Sequence, residues 1–556
     1  MLYEQINIRK SFLIAIVVLC NTIYTYANTY YINSNAGNDN NNGTSKATPW
    51  KSLGALKYIS LVPGDSVLLA KGQQFDGTIQ LENIHGLTVK KIYIGGYAAD
   101  RSTAKPKLDA GNFLYGIYLK NCSNIIVESI EITAVQPILD SAILKTIPMR
   151  CGVLVELTEE KQLAAIELKH LSVHDVYLMP KGYVRTAAET KTANGTQGYG
   201  WGIRVINSAK AGKLSYINVE NNEIYNVSHT GLKFTAPIHG IQYVIVKDNI
   251  VHHTGGPGIQ MSGVDDAHVH HNKVSYSGAT NDSRNWARGS GMWTWSCNNI
   301  LVEYNNFEHA NGPGDSAGVH IDYNCKDVVI QYNFSANNAG GFCEILGNNY
   351  NCAYRYNVSI NDGYRVKGVN GAFQEGKVFW LSGYVGNGKK NTGPFNSYFY
   401  NNTIYVSANI VPKISISSSA SGVFIANNLF YFEQDAQLVA GDQKKLEIDS
   451  TQIPNVFFKN NMYLNASNWP ANAPFQDQFP IFGNPRFHSN TPETIKDLLP
   501  GNIAMMKDKG IDIKKIANDT IGIKIGLQVE KDILGNQIVG RPDIGAIELS
   551  SQPSRK

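Results

Sequence analysis

The chain has 556 residues, with 43% hydrophobic and 17% charged residues and a formal net charge of +4. That apolar share excludes a disordered chain, and so small a positive excess gives no basis for nucleic-acid binding, which needs a concentrated basic patch. The 51 Gly, together with 30 Tyr against 20 Phe, suit a β-solenoid with many turns better than a helical protein.

In chain order, Arg9 and Lys10 precede an apolar run from Phe12 to Leu19, and Thr25-Tyr26-Ala27 offers a small-residue cleavage site. Residues 1–27 therefore read as a secretory signal peptide. The run is too short for a comfortable membrane anchor, and no later stretch is apolar enough to span a bilayer. Residues 28–120 read as an N-terminal cap with the first coils, 121–465 as the solenoid that carries a groove, and 466–556 as C-terminal coils or a cap. Six cysteines lie beyond the signal segment. Cys122, Cys297 and Cys325 each precede a similar strand, which suggests a stack of small buried side chains, and no zinc-type spacing is present.

Self-similarity decides the fold. Ile217-Asn-Val-Glu-Asn-Asn222, Val244-Ile-Val-Lys-Asp-Asn249, Ile300-Leu-Val-Glu-Tyr-Asn305 and Val328-Val-Ile-Gln-Tyr-Asn333 repeat one pattern, with weaker copies to Asn461. Each is a short alternating strand ending in Asn before another apolar residue. One coil cannot bury its own apolar face, so many must stack. The expected fold is all-β: a right-handed, single-stranded parallel β-helix with loop insertions and terminal caps. Asn at the bend is expected to adopt left-handed angles and to hydrogen-bond the next Asn in the stack.

After each Asn turn comes Gly and a second strand: Gly231–Thr235, Gly258–Ser262, Gly291–Trp295, Gly318–Asp322 and Gly340–Glu344. Alternation places Leu232, Phe234, Ile259, Met261, Val319, Ile321 and Cys343 inward. It places Lys233, Gln260, Trp293, Trp295, His320, Asp322, Phe342 and Glu344 outward. In this alignment Asp322 and Glu344 share a column about 4.8 Å apart. Carboxylates so placed repel, which raises one pKa and leaves the other group ionised. Retaining glycosidases hold their pair about 5–5.5 Å apart. Asp315, in the turn before, is a third candidate catalytic carboxylate. Trp293, Trp295, His320, Lys233, Gln260 and Arg288 are the candidate substrate-binding residues. His252-His253 and His270-His271 read as turn or surface residues, so no metal site is assigned.

The opening segment Tyr30–Asn33, Pro49–Leu53 and Pro63–Leu69 resembles that of secreted bacterial β-helix enzymes, and Gly540–Glu548 is similar to their final strand. Around residues 312–345 the carboxylates resemble those of β-helix glycoside hydrolases. Likeness to the retaining β-xylosidase kind implies Asp322 as nucleophile and Glu344 as acid/base. Likeness to the lacto-N-biosidase kind implies an Asp315–Asp322 pair. The resemblance implies a secreted enzyme that acts on a carbohydrate without a cofactor. Two other readings stay open: a polysaccharide lyase with calcium held by Asp315, Asp322 and Glu344 and with Lys233 or Arg288 as base, and a non-catalytic glycan-binding solenoid. The segments 158–200 and 278–289 are the expected groove walls, with Trp201 and Trp286 reaching the groove. Oligomeric state is not readable from the sequence.

Overall fold

A computed structural model describes residues 27–191, 198–439, 453, 455–471 and 473–549. The signal-peptide reading falls almost wholly on residues 1–26, outside the described residues. Among the described residues, no helix is long and apolar enough to cross a membrane.

Among the described residues, three long parallel sheets of 14, 12 and 14 strands span Thr29 to Phe482, and sequential strands visit them in rotation. This is the right-handed parallel β-helix expected from the repeat. A representative coil contributes Lys213–Glu220 to the first sheet, Glu223–Val227 to the second and Leu232–Thr235 to the third. The third is called the groove sheet below. Val-, Ile- and Leu-rich inward faces stack coil on coil into one continuous core, in which Ile217, Val219, Ile224, Leu232 and Phe234 are fully buried.

The bend between the first and second sheets explains the Asn repeat. The amide Nδ2 of Asn222 donates to Oδ1 of Asn249, Asn249 to Asn272, and Asn272 to Asn305, each at 2.9 Å. The chain of bonds continues through Asn333, Asn357, Asn402 and Asn428 to Asn461, and Asp477 accepts from Asn461 at its end. The structure divides the work expected of one residue between two. The left-handed position is taken by the residue before each ladder Asn, such as Asn221, Asp248, His271 and Tyr304 with φ near 55°. The ladder Asn is thereby free to turn inward. In mid-ladder, Asn305→Ala would leave buried backbone and amide groups without partners, and we expect a loss of about 2–4 kcal/mol in denaturant unfolding.

At the next bend a glycine column lets the chain turn tightly over the core. A Cβ at Gly231 would lie 2.5 Å from Val251 Cγ1, and at Gly318 2.4 Å from Ser335 Oγ. The cysteine expectation holds: Cys122, Cys297, Cys325 and Cys352 are buried free thiols, each donating to the carbonyl two residues earlier.

After Ile481–Phe482, which still pairs with the coil before it, the chain adds no further strand among the described residues. Residues Leu498 to Leu549 run along the flank of the solenoid and bury Ile513, Ile523, Ile533 and Ile544 against Tyr332, Tyr356, Tyr398 and Tyr400. The hydroxyls of Tyr332 and Tyr400 donate to the carbonyls of Lys531 and Leu527 at 2.8 and 2.6 Å. A tyrosine offers an apolar ring and one donor, which suits an outward position that another segment covers. Gly540–Glu548 forms no strand here. Pro542 lacks an N–H, Gly545 has φ 85°, and the Gly545 and Ala546 amides bond Asn427 and Thr403 of the coils.

Candidate active site

The outward face of the groove sheet carries one unbroken column. Register pairing runs Leu154, Arg204, Lys233, Gln260, Trp293, His320, and Glu344, Trp380, Ser415 continue it. Lys233, Gln260, Trp293 and His320 are thus adjacent, as the alternation requires. Arg204 and Trp380 were missed. Their strands, Gly202-Ile-Arg-Val and Lys377-Val-Phe-Trp, repeat the same pattern after long insertions.

The step from His320 to the next coil differs from the sequence alignment. Ile321 pairs with Ile345 and Ala317 bridges Gly341, so Glu344 lies beside His320 and Asp322 is level with Leu346. Asp322 and Glu344 therefore do not share a column. The register runs two residues later than the repeat predicts, from Gly341, whose φ is 141°. A two-residue slip preserves the face, so Glu344 still points outward. Phe342, expected on that face, is instead fully buried in the core with its ring 5.5 Å from that of Tyr354.

What comes together is Asp315, Asp322, His320 and Arg288. Asp315 and Ser316 occupy consecutive left-handed positions, φ 50° and 68°, a costly geometry for residues other than glycine. The turn is held by the Ser316 hydroxyl on the carbonyls of Asn311 and Gly314 at 2.7 and 2.8 Å. Gln374 accepts from the Asp315 amide, and the Arg365 guanidinium bonds the Gly312 carbonyl. Arg288, expected to meet substrate, grips Asp315 with both ends of its fork: Nε to Oδ2 at 2.8 Å and Nη2 to Oδ1 at 3.1 Å. Burial works to raise the Asp315 pKa, but the charge and hydrogen bonds of Arg288, with His320 and Arg365 behind them, bring it below the ordinary carboxylate value.

Asp322 behaves in the opposite way. Burial first, and the charge of Asp315 second, push its carboxyl up to about 8, with Arg288 opposing only in part. Its Oδ2 lies 4.0 Å from His320 Nε2. On the far side of that ring, Nδ1 is 3.2 Å from the hydroxyl of Ser290, which itself accepts from the Ala317 amide at 3.1 Å. In the tautomer in which Ser290 donates to Nδ1, the Nε2 proton faces Asp322. Burial pushes the His320 imidazole down to about 4, so the ring is neutral at working pH.

Two indoles line the approach. Trp293 stacks on His320 at 5.9 Å and 18°, and Trp295 stands at 80° to Trp293. Trp295 is 39% exposed and Trp293 8%, so Trp295 presents the open face. Trp201 and Trp286 are not open to a ligand, being 0% and 1% exposed. They sandwich His229 at centroid distances of 3.8 and 4.5 Å and are buried in a satellite core. The insertions form a wall through Arg185 to the Arg284 carbonyl and Ser283 to the Tyr183 carbonyl. Among the described residues no group of three metal-ligating side chains occurs.

No family model matches the chain. A lacto-N-biosidase of Bifidobacterium longum subsp. longum is 26% identical over an alignment of 625 positions that covers 94% of this chain and 36% of that protein; the chain thus spans about a third of the relative it matches. Among solved structures, the GH136 lacto-N-biosidase from Eubacterium ramulus superposes with a TM-score of 0.53 and 21% identity, covering 74% of this chain and 68% of that one. The chain is therefore similar in sequence to one lacto-N-biosidase along most of its own length, and it shares the fold of another.

Proposed function

We propose that the chain is a glycoside hydrolase of oligosaccharides and that Asp315 and Asp322 are its catalytic pair. The observation that carries this reading is the contrast between two carboxylates at one end of an aromatic-lined groove, one gripped by a guanidinium and the other not. Asp315 is kept ionised by Arg288, while burial and Asp315 keep Asp322 protonated. Such a division of environments is how one site runs acid and base chemistry at a single pH.

In the first step an Asp315 oxygen bonds the anomeric carbon as the bond to the leaving oxygen breaks, and Asp322 gives its proton to that oxygen. In the second, Asp322 takes a proton from water, whose oxygen displaces Asp315 and frees the sugar. Net retention of configuration follows. Arg288 is a positioning residue here, and His320 stands beside the Asp322 carboxyl. Trp295 offers a face on which a sugar ring stacks. Because both Asp315 oxygens are engaged by a guanidinium, we do not assign them to calcium. Chelator should leave turnover unchanged, whereas a calcium-dependent lyase would lose activity and release ultraviolet-absorbing products.

The test is a glycan panel headed by oligosaccharides that contain lacto-N-biose, as the relative's name suggests, with the anomer released followed by proton NMR. Release of the retained anomer supports the mechanism; release of the inverted anomer overturns the role given to Asp315. Glu344→Gln, altered beside His320 but not in the pair, should lower kcat/KM by about 10- to 100-fold, less than the loss of a general acid. A larger loss than that of Asp322→Asn would return the acid to Glu344.

A further inference from the structure

Beyond the carboxylates, the groove sheet carries a buried cationic cluster for which the hydrolytic steps have no use. Lys233 is 7% exposed and Gln260, its register neighbour, 3%. Among the described residues neither side chain has a hydrogen-bond partner, and no carboxylate pairs with Lys233. The ammonium lies against the indole of Trp201, 5.1 Å from Nζ to the ring centroid. The neighbour on the other side is a second cation, Arg204, whose guanidinium lies 4.2 Å over the same indole. Arg204 has Glu156 within electrostatic reach; among the described residues Lys233 has no acid beside it.

Stacking like charges on adjacent strands is destabilising, and burying an ammonium without a counter-charge costs several kcal/mol more. Burial, then the charge of Arg204, push the Lys233 amine down to about 7. A fold gains nothing from such a pair by itself, because an apolar residue at position 233 would pack as well. An incoming anion would hold the amine charged, relieve the repulsion and take the Gln260 amide as a further donor.

The position says what kind of anion. Lys233, Gln260, Trp293 and His320 are consecutive in one outward column. Lys233 is therefore three strand spacings, about 14 Å, from the coil of Asp322, along the line a bound glycan would follow over the indoles. We propose that Lys233, with Gln260 and Arg204, forms a subsite for an acidic sugar, one that carries a carboxylate or sulfate, at a position remote from the cleaved bond. This rests on the glycan-cleaving reading for the direction of the ligand but not for the site itself.

The test is equilibrium binding by calorimetry to the full-length chain carrying Asp322→Asn, so that no sugar is consumed. The probes are a uronate, a sialylated and a sulfated oligosaccharide, each beside its uncharged counterpart. The expected result is a preference of about tenfold or more for the acidic member of at least one pair. That preference should fall toward one when Lys233→Gln is added, persist in Lys233→Arg, and shrink as salt rises. Which pair discriminates decides between carboxylate and sulfate. Equal affinity within all three pairs, or a preference that Lys233→Gln leaves unchanged, overturns the subsite. Should the Gln variant fail to fold, the salt dependence of the preference in the parent chain decides. Cleavage of neutral glycans with no acidic preference would sink the subsite and leave the hydrolase. Acidic preference without cleavage of any glycan by the wild type would do the reverse.

Discussion

Asp322→Asn should lower kcat/KM by about 10³-fold or more and, in the same protein, raise the unfolding temperature at pH 7. Asparagine keeps the shape of the side chain, but it has no proton to give to the leaving oxygen. The stability gain has the same origin. In the unfolded chain Asp322 ionises near its ordinary value of about 3.9, whereas in the folded site it holds its proton up to about 8. Between those values the unfolded chain binds fewer protons than the folded one. Folded stability therefore drains away as pH rises through this window, by an amount on the order of a few kcal/mol at pH 7. The variant should thus be more stable than wild type at pH 7 and equal to it at pH 4, as read by thermal unfolding at the two values. Full activity in the variant would remove Asp322 from the mechanism. Unchanged stability at pH 7 would show that its carboxyl is not held protonated.

Arg288→Gln should lower activity by about 10²- to 10³-fold and move the whole pH profile toward alkali. With the guanidinium gone, nothing comparable opposes the burial of Asp315, and its pKa rises. The acid limb of kcat/KM, which reports ionisation of that carboxyl in the free enzyme, moves up with it. Arg288 also lowers Asp322 in part, so the alkaline limb, near pH 8 in the wild type, moves up as well. A purely structural role for Arg288 would reduce activity without moving either limb. Arg288→Lys should restore charge but not the two-pronged grip, giving limbs close to wild type and an intermediate rate.

Much of this protein is local and therefore legible. Strand alternation separates Ile259 and Met261 from Gln260, and the structure keeps them on opposite faces. The Asn ladder, the glycine bend and the thiol sites recur at one position of every coil, so their roles follow from repetition alone. Less legible was the division of labour at the bend. The left-handed angles fall on Asn221 or Tyr304, one residue before the ladder Asn, a split that the shared Asn register does not by itself distinguish.

The sequence by itself determined the solenoid, the identity of its inward and outward faces, and the neighbourhood of Asp315, Asp322 and His320. These depend on periodicity within a coil, a property of a few consecutive residues. Only the tertiary structure decided the register where a coil departs from the repeat, and where the loops land. The register from Gly341 onward sets Glu344 beside His320 rather than Asp322. A loop fold brought Arg288 onto Asp315 from 27 residues away. The insertions buried Trp201 and Trp286, and the C-terminal segment covered a column of tyrosines. Register between coils and the landing of loops depend on turn conformations and long-range packing, which no pattern of nearest neighbours encodes.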